Sequence, residues 1–281
     1  MVEFNNVTKK YGSTVAINKI SLKIHENGIY CLLGRNGAGK TTFMKLLAGF
    51  IAATEGNISV DGKKASVGSM PESVNFIESG AVQFNVKVSS LIDMAAQLHD
   101  DFDRGFALKM TERFELNPNK KFKHLSFGMK TMLTTIISLA KSSGIILLDE
   151  PTLGFDAVMR DQFNSLLLES YHTNPRIIIV STHLIDEIAK IVERLIIINQ
   201  GSVLLETGIN DIDERAYTLS GLTKAVEPLL EGLNCIGKTI AGNAMAAYIF
   251  DKRIEVPEGV AIDRLSLQDF FINLVGGKKH E

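Results

Sequence analysis

The chain has 281 residues, 45% hydrophobic and 22% charged, with a formal net charge of −2. That length suits one large domain with an appendage, or two modest domains, and the near-neutral charge excludes a global basic surface of the kind that binds nucleic acid. Two cysteines, Cys31 in an apolar run and Cys235 far along the chain, give no disulfide framework and fit a reducing cytosol.

Residues 2–7, 21–25, 29–33 and 57–60 read as short strands broken by Gly-containing turns, with a helix at 40–49 opened by a glycine-rich loop. From 86 to 141 the texture turns helical, with apolar residues at helical spacing in SSLIDMAAQL and KTMLTTIISLA. Apolar β runs return at 145–148, 177–181 and 195–199, separated by helical segments at 156–171 and 184–191. Strands alternating with helices predict an α/β fold whose sheet is mixed, mainly parallel and covered on both faces. After Gly208 the rhythm fades into a tail ending LSLQDFFINLVGGKKHE. The expected division is a first domain over 1–210, with a helical subdomain at 73–141, and a small C-terminal accessory domain over 211–281. No apolar stretch approaches the ~20 residues that span a bilayer, and the opening MVEFNNVTKKYG has no signal-peptide apolar region.

The strand at 29–33 runs into GRNGAGKTT, residues Gly34, Arg35, Asn36, Gly37, Ala38, Gly39, Lys40, Thr41 and Thr42. This matches the phosphate-loop pattern in its required strand–loop–helix setting. Glycines let consecutive backbone N–H groups turn inward around an anion, and the helix start points its positive dipole end at phosphates. Lys40 would reach the β- and γ-phosphates and Thr41 would ligate Mg²⁺. The plainer alternative is a glycine-rich turn that precedes a helix.

The run IILLDE ends a strand in two carboxylates, Asp149 and Glu150. Asp149 is placed to hold Mg²⁺ and Glu150 to polarise an attacking water as general base. A solvated turn is the alternative, although adjacent acids after a buried strand are costly by accident. His183 ends another strand; alone it reads as an ordinary strand-end residue, and beside the other two motifs as a γ-phosphate contact. Ser126 opens the helix after LSFGM, either as a simple N-cap or as a second anion site at a helix start.

In this order GRNGAGKTT, LSFGM, IILLDEP, TLGFD and STH resemble the ATP-binding subunits of ABC transporters, over roughly residues 1–208. The resemblance implies a P-loop NTPase core with an inserted ABC helical subdomain, ATP and Mg²⁺ as cofactors, and ATP hydrolysis coupled to transport. It implies that Tyr11 stacks on adenine, that Ser126 and Gly128 meet the ATP held by a partner, and that Asp156 lies at the subunit interface. The implied partners are a second ATP-binding subunit, in a homodimer or heterodimer, and a separately encoded transmembrane permease. That permease would hold the chain at the cytoplasmic face of the membrane; nucleic acid is not among the partners.

Two positions depart from the family pattern. Phe127 and Met129 replace Gly and Gln of the usual Leu-Ser-Gly-Gly-Gln, and VGSMPES puts Glu72 where a Mg²⁺-ligating Gln is usual. Glu72 is similar to the Glu of lantibiotic-immunity and bacitracin-type exporter ATPases, and AAQLHDDFD and LLDEPTLGFDAVMRD resemble exporter ATPases found with GntR-type regulators. The expected function is therefore the motor of an exporter of peptides or antimicrobial compounds.

The rivals are a soluble ABC-type ATPase acting on ribosomes or nucleic acid, a GTPase switch and a degenerate regulatory cassette. A single cassette, with no span between Lys40 and Ser126 long enough for a coiled-coil arm of many heptads, disfavours the first, and NKKFKH reads as a solvated face. No Asn-Lys-x-Asp guanine-reading motif is present. Intact Asp149, Glu150 and His183 argue against degeneracy, whereas Phe127 and Glu72 keep the regulatory reading open.

Overall fold

The structure, a computed structural model, describes residues 1–80, 83–183, 185 and 188–276. It divides into two compact units, Met1–Val192 with Ile196–Leu205, and Glu193–Leu195 with Glu206–Glu281.

The first unit opens with an antiparallel hairpin, β1 (Val2–Tyr11) and β2 (Thr14–Ile24). β2 starts seven residues before the expected run at 21–25, because its first part, TVAINKI, buries only Ile17 and Ile20 and is held by pairing with β1. β3 (Gly28–Leu33) follows, buried at all six positions, and leads into α1 (Lys40–Leu47). β4 (Glu55–Val60) and the short β5 (Lys63–Lys64) complete a four-stranded sheet in the order β2-β1-β4-β5. Phe4 of β1 stacks on Phe43 of α1 with ring centroids 4.4 Å apart, which ties that sheet to the helix behind the glycine-rich loop.

β6 (Val74–Glu78) precedes the helical block α2 (Val88–Leu98), α3 (Arg104–Arg113) and α4 (Phe127–Leu139). Asp103 caps α3 by accepting from the Phe106 N–H at 2.8 Å, so the helical texture at 86–141 breaks into separate helices at such caps. Then come β7 (Ile145–Asp149), α5 (Ala157–Thr173), β8 (Ile177–Thr182), β9 (Arg194–Asn199) and β10 (Ser202–Gly208). Of the helix expected over 184–191, residues 184, 186 and 187 lie outside the described residues.

The second sheet has the order β10-β9-β3-β8-β7-β6, and its pairs β3/β8, β8/β7 and β7/β6 run parallel. Every residue of β3, β7 and β8 is buried, as strands covered on both faces require. Each buried Ile or Leu there contributes about 1.5–3 kcal/mol. Arg176 is 3% exposed, and its guanidinium donates to the Leu139 and Lys141 carbonyls at 2.9 and 2.6 Å and to Ser170 Oγ at 2.6 Å. It thereby fastens the end of α4 to α5, and burial lowers its pKa to about 10.

The second unit holds α6 (Ile209–Arg215) and a four-stranded antiparallel sheet of β11 (Ala216–Leu222), β12 (Cys235–Ala241), β13 (Ala244–Phe250) and β14 (Val260–Arg264), in the order β12-β13-β11-β14. Tyr217, Leu219, Met245, Ala247 and Ile249 form its core with Val226 of α7 (Thr223–Val226). α8 (Leu267–Gly276) packs Phe270 edge-on against Phe250 at 5.0 Å. The closing GKKHE lies outside the described residues.

Candidate functional site

Strand register builds the site. Leu33 of β3 stands opposite Thr182 of β8, and Asp149 of β7 opposite Ser181. The carboxyl ends of three parallel strands are therefore level, and Gly34, Glu150 and His183 leave the sheet side by side, where open α/β sheets bind ligands.

The loop after β3 is held close to the sheet. A methyl on Gly34 would stand 2.5 Å from the Ile198 carbonyl oxygen, and Gly39 has φ +109° with Ala16 O equally near. Only glycine fits both constraints. Lys40 is 6% exposed; its ammonium donates to Gly34 O at 2.7 Å and lies 3.1 Å from Glu150 Oε1. Arg35, Asn36 and Gly37 are exposed, Ala38 is buried, and Thr42 is half-buried on α1.

Thr41 Oγ1 donates to Asp149 Oδ2 at 2.6 Å. The other carboxylate oxygen accepts from Ser181 Oγ, and the Glu150 N–H donates to that same hydroxyl at 3.0 Å. Thr41 and Asp149 thus place two oxygens together, hard donors of the kind that would hold a Mg²⁺ ion. Glu150 has φ +48°, and its carboxylate lies 3.1 Å from His183 Nδ1. Beneath this cluster Cys31 is fully buried; burial pushes its thiol up to about 12, with the Lys40 charge opposing and Glu150 adding.

Ser126 caps α4, its hydroxyl accepting from the Met129 N–H at 3.2 Å, and Asp156 caps α5, accepting from the Met159 N–H at 2.8 Å. Gly128 packs α4 onto the start of α5: a methyl there would lie 3.0 Å from Met159 and 3.2 Å from Phe155. Tyr11 is 49% exposed at the end of β1, with Lys9 Nζ 5.0 Å above its ring.

Glu72 is not brought to the site. β6 runs parallel to β7 with Val74 opposite Ile145 and Glu78 opposite Asp149, so Glu72 lies beyond the far end of a strand roughly 13 Å long. At the near end stand Glu78, paired with Lys45 of α1 at 2.8 Å, and Ser79. Ser79 Oγ lies 3.0 Å from the carbonyl oxygens of both Asp149 and Glu150. Ser79 and Ser181 were not singled out from the sequence; only the pairing of β6 and β8 with β7 marks them.

The family model described as ABC transporter matches residues 17–153. The chain is 30% identical to the ABC transporter ATP-binding protein YtrB of Bacillus subtilis, over 76% of this chain and 73% of that protein. It is 27% identical to the bacitracin transport ATP-binding protein BcrA of Enterococcus faecalis, over 99% of this chain and 97% of that one. It is 29% identical to the lantibiotic transport ATP-binding protein SrtF of Streptococcus pyogenes, over 73% and 90%. Among solved structures, the dimeric ATP-binding cassette MJ0796 in a post-hydrolysis state with ADP and Pi matches with a TM-score of 0.65 at 24% identity, over 74% of this chain and 99% of that one.

Proposed function

This chain belongs to the ATP-binding proteins of ABC transporters and is an ATPase, and we propose on that premise that it drives export of a peptide or antimicrobial compound through a separately encoded membrane subunit. The substrate class rests on the relatives whose names specify bacitracin and lantibiotic transport.

The observation that carries the hydrolytic part is the Glu150 carboxylate, held between Lys40 and His183 at the level ends of the sheet. In this reading Lys40 holds the β- and γ-phosphates, with backbone N–H groups of the loop around them. Thr41 and Asp149 hold Mg²⁺, which supplies charge neutralisation at the phosphates. Glu150 accepts the proton of the attacking water, and His183 orients the water and the γ-phosphate. Tyr11 packs on the adenine.

Ser126 and Gly128 complete the site of a second copy, and Asp156 lies where the two copies meet. Nucleotide is then fully wrapped only when two chains close on it head to tail, and loss of the γ-phosphate reopens them. No helix of the described residues is long and apolar enough to cross a membrane. An apolar groove of about 630 Å³ between the sheet edge and the helical block, lined by Phe50, Phe76, Phe84, Met94 and Leu98, supports docking of a membrane subunit. Phe50, Met94 and Leu98 are exposed in it, as interaction surfaces are.

The test is sizing of purified Glu150→Gln with and without Mg·ATP, beside the wild-type hydrolysis rate. The expected outcome is an ATP-dependent monomer-to-dimer shift in the variant, with its turnover abolished. Normal turnover in Glu150→Gln would overturn the assignment of the base.

A further inference from the structure

Phe127 is the first residue of α4 and follows directly on Ser126. It is 42% exposed, which for an aromatic at a helix start suggests an idle side chain. Its ring instead lies against the bare backbone of two loops. A methyl on Gly80 would stand 2.9 Å from the ring's Cε2, and the three nearest atoms on that side of Gly80 all belong to Phe127. A methyl on Gly154 would stand 3.2 Å from the ring's Cδ1, and there too, chain neighbours aside, the ring is the only contact within 4 Å among the described residues. Both glycines are left-handed, with φ +76° and +78°. Gly80 belongs to the loop that leaves β6, and Gly154 to the turn that leaves β7.

The contact leads to the reacting carboxylates within one residue. Ser79, next to Gly80, sets its hydroxyl 3.0 Å from the carbonyl oxygens of both Asp149 and Glu150, and its N–H reaches Asp149 O at 3.4 Å. Glu150 holds φ +48°, a conformation less favourable for a glutamate than for glycine or asparagine. On the β6 side Ser79 holds the carbonyls on either side of this residue's backbone, and the face of Gly80 is covered by Phe127.

We infer that Phe127 is a positioning residue for hydrolysis: its ring presses the backbone of Ser79 and Gly80 onto the end of β7, and so fixes where the Glu150 carboxylate points. The role rests on the ATPase reading with Glu150 as base. The same ring borders the apolar groove, so the groove wall and the orientation of Glu150 share one side chain. The nucleotide contacts made within a single chain do not depend on it, since Lys40 and the glycine-rich loop stand on β3 and α1.

Steady-state ATP hydrolysis and nucleotide affinity, measured on the full-length chain for wild type, Phe127→Leu, Phe127→Ala, Gly80→Ala and the Phe127→Ala/Gly80→Ala double variant, test this. Phe127→Ala is expected to lower kcat by roughly tenfold or more, with the ATP affinity of the monomeric chain within about twofold of wild type. Phe127→Leu, which refills the contact, recovers most of the rate. Gly80→Ala displaces the ring and lowers kcat in the wild-type background, but costs much less on top of Phe127→Ala. Wild-type kcat in Phe127→Ala overturns the inference, as do losses from the two single variants that multiply, or a kcat loss matched by lost ATP affinity. Hydrolysis absent from wild type itself overturns the ATPase reading, a result separate from any effect of Phe127.

Discussion

Thr41 and Asp149 stand 108 residues apart in the chain and meet at 2.6 Å, hydroxyl to carboxylate, with Ser181 holding the other carboxylate oxygen. The glycine-rich loop and the acidic strand end are therefore a single unit before any cation arrives. The two oxygens that face each other are the pair that a divalent ion would share.

Thr41→Ala removes one of those oxygens and leaves Lys40 in place. ATP measured in EDTA should bind Thr41→Ala nearly as well as wild type, while added Mg²⁺ should tighten wild type much more than the variant. Hydrolysis should fall by roughly 10²-fold or more. Equal Mg²⁺ enhancement in both proteins would remove Thr41 from the cation site.

The two cysteines should behave oppositely. Cys235 is exposed and Cys31 is fully buried with its thiol pushed up to about 12. A thiol reagent at pH 8 should label one equivalent per folded chain and two in denaturant. Because the folded Cys31 pKa lies above its ordinary value of 9.0, the neutral thiol favours the folded state, and that contribution is complete below pH 9. As pH rises from 9 towards 12 the unfolded chain ionises first, so stability is lost by about 1.4 kcal/mol per pH unit. Urea unfolding at pH 8 and pH 10.5 should show wild type losing about 2 kcal/mol more than Cys31→Ala between the two.

Arg176→Met keeps a long apolar stem but deletes the donors that satisfy Leu139 O, Lys141 O and Ser170 Oγ. Leaving such buried groups unpaired costs about 2–4 kcal/mol in all. The melting temperature should drop by several degrees, while the ATP affinity of the folded fraction stays as in wild type. A variant as stable as wild type would show that water takes the place of the guanidinium.

The parts of the site carried by contiguous motifs were legible in the sequence. GRNGAGKTT and IILLDE each combine an apolar run with its own turn, so local chemistry marks both the element and the side chains it presents. Glu72 shows where this fails. VGSMPES and VNFIES both begin with valine and close on Glu-Ser, and only the pairing of Val74 with Ile145 decides which end lies beside Asp149. Ser79 and Ser181 were missed for the same reason, since a serine after a strand gains meaning from its neighbour across the sheet. The hairpin start at Thr14 and the strands of the second unit were weak in sequence because half of each faces water, as in β12, where Lys238, Thr239, Ile240 and Ala241 are exposed.

Glu150 sits at φ +48°, a region that glycine and asparagine enter far more readily than glutamate. Gly and Asn relax this backbone and delete the carboxylate, and Asp keeps one but draws it back by a methylene, so the position sets fold against chemistry. Directed evolution for heat resistance alone should drift there to Gly or Asn and yield sturdier chains that bind ATP and do not turn it over. Selection that also demands turnover must find its stability elsewhere, which makes this one dihedral angle a standing trade-off between durability and work.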